Sequence, residues 1–116
     1  MPVPPLANPM HWYFLAAAIV FEIAGSTSMK LSQGLSKAGP TAMMFAFYAV
    51  AFACNAMALK KLDLSVTYAI WSGLGTAAVA VIGMTWFQEP ITALRLISIT
   101  LIVIGVVGLA LSAGQS

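Results

Sequence analysis

Charged residues are scarce in this sequence: of 116 residues only 7% are Asp, Glu, Lys or Arg, three of them acidic and five basic. Soluble globular domains carry about 25% charged and about 45–50% apolar residues, whereas 61% of this chain is apolar. A water-soluble fold is thereby excluded, and a protein of the lipid bilayer is the class that follows. Five scattered basic residues make no surface for a phosphate backbone, so nucleic acid is not expected as a partner. A lone cysteine, Cys54, and a lone histidine, His11, exclude an intrachain disulfide and a thiolate metal cluster. No metal or other cofactor is expected. The first ten residues hold four prolines and no basic residue, unlike a signal peptide, and read as a short uncleaved tail.

What the chain has is long apolar runs. A helix needs about 20 mainly apolar residues to cross a hydrocarbon core about 30 Å thick, and four such runs with short loops use nearly all of it. No soluble catalytic domain fits beside them. The pattern predicts an all-α membrane protein, a single four-helix transmembrane domain over residues 1–116, with helices near 11–31, 41–59, 64–87 and 91–112. The runs are too long for the strands of a membrane β-barrel and lack their alternation. Trp12 and Tyr13 suit one interface and Lys30 snorkels to the other. Pro40 and Pro90 fall where helices tolerate proline, in the first turn. Asp63 or Ser65 is expected to cap the third helix.

Crossings alternate sides, so loops one and three share a face. Lys30, Lys37 and Arg95 lie on that face, Lys60 and Lys61 on the other, a count of 3 against 2. Orientation follows the Lys/Arg bias of short loops, and a difference of one is a weak instruction. One reading is insertion both ways round, with oppositely oriented copies paired; the other is a single topology with loop one cytoplasmic.

Of the three acidic residues, Asp63 and Glu89 fall in loops, where solvation makes them ordinary. Glu22 is different. It sits near the middle of the first span, where an ionisable side chain costs about 2.5–3.5 kcal/mol on insertion scales and marks ion or proton pathways. One turn before it are Ala18 and Ile19, one turn after it Gly25 and Ser26, and three of these four are small enough to admit a neighbouring helix or a ligand. Helix three carries Tyr68, Trp71, Ser72 and Gly75 at i, i+3, i+4 and i+7. An aromatic wall near an unpaired carboxylate suits a lipophilic cation, which gains ring contact and a counter-ion. Gly73 and Gly75 offer a bend point. Tyr48, Phe52 and Asn55, spaced i, i+4 and i+7 on helix two, form an expected third wall. Helix four repeats small residues at Ser98, Gly105 and Ser112, with Gly108 beside them, the pattern of a helix–helix seam between copies.

Three segments together resemble one known family, the small multidrug resistance transporters: Phe21-Glu22-Ile23-Ala24-Gly25-Ser26-Thr27-Ser28-Met29-Lys30, Pro40 opening helix two, and Tyr68-Ala69-Ile70-Trp71-Ser72-Gly73-Leu74-Gly75. The resemblance covers all four spans. It implies that Glu22 is the embedded carboxylate for which protons and substrate compete and that Tyr68 and Trp71 contact substrate with Ser72 beside them; helical spacing adds Ala18, Ile19, Gly25, Ser26, Tyr48 and Phe52 as expected cavity-lining residues. The resemblance further implies a kink at Gly73 and Gly75 and a dimer seam on helix four. The guanidinium-exporting subtype usually has tryptophan one turn after the carboxylate, where this chain has Gly25, closer to the quaternary-ammonium subtype. The segment 61–68 is similar to a subunit of paired polyamine exporters. The expectation is therefore a proton-coupled antiporter of hydrophobic cations in the bacterial cytoplasmic membrane, not an enzyme. Its partner is a second copy of itself or a paralogous chain, in an antiparallel pair. Export of guanidinium or polyamines is the alternative within the family, and a non-transporting helical assembly protein the alternative outside it.

Overall fold

The computed structural model describes residues 10–112; the expected tail at 1–9 lies outside them. Four helices follow one another: α1 Met10–Leu31, α2 Ala38–Ala58, α3 Leu64–Thr85 and α4 Ala93–Ser112. Each is long and apolar enough to cross a membrane. At 1.5 Å per residue they span about 30–33 Å, the thickness of the hydrocarbon core. The chain is a multi-pass membrane protein.

The ends are set by local chemistry. After α1, Gln33, Gly34 and Leu35 all take positive φ (49°, 72° and 68°), and the buried Ser32 hydroxyl holds the turn by accepting from the Leu35 amide at 3.0 Å and donating to the Met29 carbonyl at 2.6 Å. Pro40 lies in the first turn of α2, as expected. Asp63 occupies the position preceding α3, but its side chain makes no capping hydrogen bond. The fourth helix starts at Ala93, two residues later than the proline suggested. Thr92 caps it, its hydroxyl accepting from the Arg95 amide at 3.1 Å, while Pro90 lies outside the helix. The third helix ends at Thr85, short of the expected 87, because the chain turns sharply through Gln88 (φ 57°).

Helix α1 packs against α2 and α3, and α3 packs against α4, giving the lateral order α2, α1, α3, α4. Three interaxial steps of about 8–10 Å plus the backbone radius at each edge give a row about 29–35 Å wide, and the measured extents are 48 × 35 × 17 Å. This is a flat array with an open face. Its apolar cluster of Leu15, Ala58, Val66, Ile70 and Val106, flanked by Trp12, Phe14, Ile19, Leu62 and Trp71, gathers largely toward the loop-two end. Gly73 brings α4 close: a Cβ there would run into the Val106 side chain. Most of α4 is exposed, with Leu94, Ile97, Leu101, Ile104 and Leu111 facing outward, as lipid or a second helix array requires.

Candidate functional site

Glu22 stands at mid-height on α1, half-buried, with its carboxylate turned toward α3. Its two oxygens meet different surroundings. Oε1 accepts a hydrogen bond from the Ser26 hydroxyl at 2.8 Å, one turn further along the same helix. Ser26 Oγ is also 2.8 Å from the Tyr48 hydroxyl of α2. A serine has one proton to give, so when the carboxylate is ionised the chain runs Tyr48 to Ser26 to Glu22, each hydroxyl donating to the next. Oε2 lies over Gly75, where an added Cβ would stand 2.9 Å away. A glycine on α3 thus creates the space that the carboxylate fills.

Tyr48 reaches Ser26 because Gly25 has no side chain: a Cβ there would be 2.7 Å from the tyrosine ring. A large residue at 25 and Tyr48 in this position exclude one another. From Tyr48 the aromatic groups continue as a chain, stacking on Phe52 at 6.1 Å; Phe52 meets Trp71 edge-on at 6.1 Å, and Trp71 meets Tyr68 edge-on at 5.7 Å. Four rings thus link α2 to α3 on the loop-two side of the carboxylate. The Trp71 indole nitrogen is buried and has no hydrogen-bond partner among the described residues, and the same holds for Asn55 Oδ1. Ser72 turns its hydroxyl back onto the Tyr68 carbonyl at 2.7 Å.

A cavity of about 500 Å3 opens along this face. Glu22, Ser26, Tyr68, Trp71, Ser72 and Gly75 all line it, so the structure gathers these expected site residues around one space. The volume suits a small organic ligand, for which about 300–1,000 Å3 is usual. Around Glu22 a carboxylate stands beside the aromatic faces of Tyr68 and Trp71, a combination that favours a cation with apolar surface of its own.

Over residues 10–102 the sequence matches the family described as Small Multidrug Resistance protein. The chain belongs to the small multidrug resistance family. Similar curated proteins include multidrug resistance protein EbrB of Bacillus licheniformis, 48% identical over 93 residues, which are 80% of this chain and 78% of that protein. The nicotine metabolites export pump subunit NepA of Paenarthrobacter nicotinovorans is 42% identical over 104 residues, 90% of each chain. An uncharacterized membrane protein of Bacillus subtilis, YvaE, is 45% identical over 102 residues, 88% of this chain and 86% of that one.

Other residues of this small multidrug resistance protein lie differently from the sequence reading. In the protomer Ala18, Ile19, Gly25, Tyr48 and Phe52 do not line the Glu22 cavity. Ala18 is fully buried, Ile19 packs on the apolar cluster, and Gly25 is the seat of Tyr48. Tyr48 and Phe52 stand behind the lining, in contact with Ser26 and Trp71. Gly73 and Gly75 lie in an uninterrupted helix and serve close approach, one to α4 and one to Glu22. On α4, Ser98, Gly105 and Ser112 are exposed, and a Cβ at Gly105 or Gly108 would meet nothing within 4 Å. The sequence reading missed the other end of the cavity, where Lys30, Gly83, Phe87 and Glu89 complete the lining. Glu89 reads from sequence as an ordinary loop charge; the turn at Gln88 brings it to the cavity.

Proposed function

We propose that this chain exports hydrophobic, quaternary-ammonium-type cations in exchange for protons, as an antiparallel dimer in the bacterial cytoplasmic membrane. The observation that carries the reading is the carboxylate of Glu22, midway along the apolar helix α1, in a cavity shared with Tyr68 and Trp71. A cation needs that carboxylate ionised, and a proton neutralises it, so each ligand has to leave before the other binds. Two copies facing one another would bring two such carboxylates to one shared cavity. Exchange becomes export when loaded dimers switch sides and empty ones do not. No bond is made or broken. The open face of the array and the exposed small residues of α4 support a second array as partner. The relatives named as a multidrug resistance protein and as an export pump subunit support the same class of activity. The word subunit in one of those names keeps pairing with a paralogous chain as the alternative to a homodimer.

The test is uptake of tetraphenylphosphonium into proteoliposomes against its own gradient, driven by an imposed proton gradient. The native protein is expected to concentrate the cation, and Glu22→Gln, which keeps shape and removes charge, is expected to abolish both uptake and binding. Uphill uptake by Glu22→Gln overturns the reading. Accumulation without a proton gradient, or none in the native protein, points instead to a passive path or an assembly protein. Guanidinium and a polyamine as competitors separate the alternatives within the family.

A further inference from the structure

The cavity does not end at Glu22. It continues along α3 from Tyr68 to Gly83, a rise of about 22 Å at 1.5 Å per residue, and it reaches Lys30, Phe87 and Glu89 at the face that carries loops one and three. Toward loop two the apolar cluster around Leu15, Val66 and Ile70 packs against Trp71. A cation that enters from the face carrying loops one and three passes Glu89 before it reaches Glu22.

The backbone holds Glu89 in that place. The positive φ of Gln88 and a hydrogen bond from the Glu89 amide to the Gly83 carbonyl at 2.9 Å fold the loop back onto α3. The carboxylate then lies over Gly83, where a Cβ would run into it. Gly75 does the same for Glu22, and the two glycines are eight residues apart, about 12 Å along the axis. One helix thus seats two carboxylates over two glycines, one at the centre of the cavity and one at its mouth.

The present partner of Glu89 is weak. Arg95 Nη1 is 3.4 Å away, and both side chains are nearly half exposed, 46% and 42%; exposed pairs of this kind contribute about 0–1 kcal/mol. Beside it, the Phe87 ring already carries a cation on its face, the Lys30 ammonium at 6.0 Å from the centroid. Carboxylate and ring repeat at the mouth the combination found at the centre.

We infer that Glu89, with Phe87, forms an outer receiving site for the hydrophobic cation, which exchanges places with Arg95 and Lys30 before passing to Glu22. The inference rests on the proposed cation export and adds to it a second position and an order of events. A receiving site acts on the rate of arrival. A charge at the mouth of a cavity steers an oppositely charged ligand and speeds association, and salt screens the effect.

The experiment follows tetraphenylphosphonium binding to the full-length protein in lipid nanodiscs by stopped-flow tryptophan fluorescence. It compares about 0.01 M with about 1 M salt, where the screening length falls from about 30 Å to about 3 Å. Glu89→Gln is expected to slow association about threefold to tenfold at low salt, to flatten its salt dependence and to leave dissociation unchanged. Glu89→Asp restores part of the rate. Gly83→Ala, which keeps the charge but moves it, slows association in the same direction. Equal association rates for native protein and Glu89→Gln at both salts overturn the inference, and so does a loss confined to dissociation, which would place Glu89 in the final site. Binding that Glu22→Gln abolishes and Glu89→Gln leaves untouched sinks the outer site while sparing the export reading. Absence of any binding by the native protein sinks both.

Discussion

The Glu22 carboxylate rests on Gly75: a Cβ on that glycine would stand 2.9 Å from Oε2, closer than side chains ordinarily approach. Two helices are brought to the same point by this contact, since α1 supplies the charge and α3 supplies the space. Position 75 therefore controls where the charge sits without carrying any charge itself.

Gly75→Ala separates position from stability. Alanine favours a helix by about 1 kcal/mol over glycine, so α3 is expected to be no less stable by circular dichroism. The methyl group displaces the carboxylate, and tetraphenylphosphonium affinity is expected to fall about tenfold, or about 1.4 kcal/mol. Unchanged affinity in isothermal titration would show that Glu22 moves aside freely and that Gly75 does not fix it.

The link from Tyr48 through Ser26 to Glu22 is testable as a coupled pair. Ser26 Oγ touches both partners at 2.8 Å. Ser26→Ala and Tyr48→Phe each remove one hydroxyl, and hydrogen bonds of this kind contribute about 0.5–1.5 kcal/mol, more where a charge is involved. In a double-mutant cycle on cation affinity the two losses are expected to fall short of additivity by about 0.5–1 kcal/mol, because either change breaks the same chain. Strict additivity would mean that Tyr48 acts on the ligand by a separate route.

The sequence made some of this legible and concealed the rest for physical reasons. Four apolar runs between polar loops define four spans because lipid demands that each crossing satisfy its own backbone. Glu22 stands out because a charge in such a run is costly, and Tyr68, Trp71 and Ser72 share a face through local helical spacing. Contacts between helices are a different matter. That Gly75 seats Glu22, and that Tyr48 meets Ser26 across 22 positions, depends on which faces meet, and a small residue looks the same whether it bends a helix or admits a neighbour. The Gln88 turn is hidden for another reason, since positive φ at a residue other than glycine is rarely announced by its type. The small-residue stripe of α4 meets no neighbour within the chain at Gly105 or Gly108, so its role rests on the proposed pairing with a second molecule.

Orientation is expected to respond to few charges. Lys30, Lys37 and Arg95 stand against Lys60 and Lys61, 3 to 2. Replacing Lys37 and Arg95 with neutral residues leaves 1 to 2, and replacing Lys60 and Lys61 leaves 3 to 0. C-terminal reporters active on opposite sides of the membrane are expected to appear together in the native protein and to shift in opposite directions in the two variants. A ratio that neither change alters would establish one fixed topology and exclude the antiparallel homodimer.

Affinity for a hydrophobic cation is expected to rise with pH, and the sign follows from competition. On the proposed exchange a proton on Glu22 removes the counter-ion that the cation needs, so acid releases the ligand and alkali favours it. Trp71→Ala tests whether the rings read shape independently of that charge. Trp71 touches both Phe52 and Tyr68, and its loss opens the middle of the ring chain. Affinity for aromatic cations is expected to fall by about 0.5–2 kcal/mol, with a smaller loss for an aliphatic quaternary ammonium of similar size. The pH profile of binding is expected to keep its shape and midpoint, because the indole carries no titrating group. Titrations of both ligands on the native protein and on Trp71→Ala at a series of pH values measure all of this at once. A flat profile would show that proton and drug do not share Glu22, and an aromatic ligand bound equally well by Trp71→Ala would remove α3 from the recognition surface.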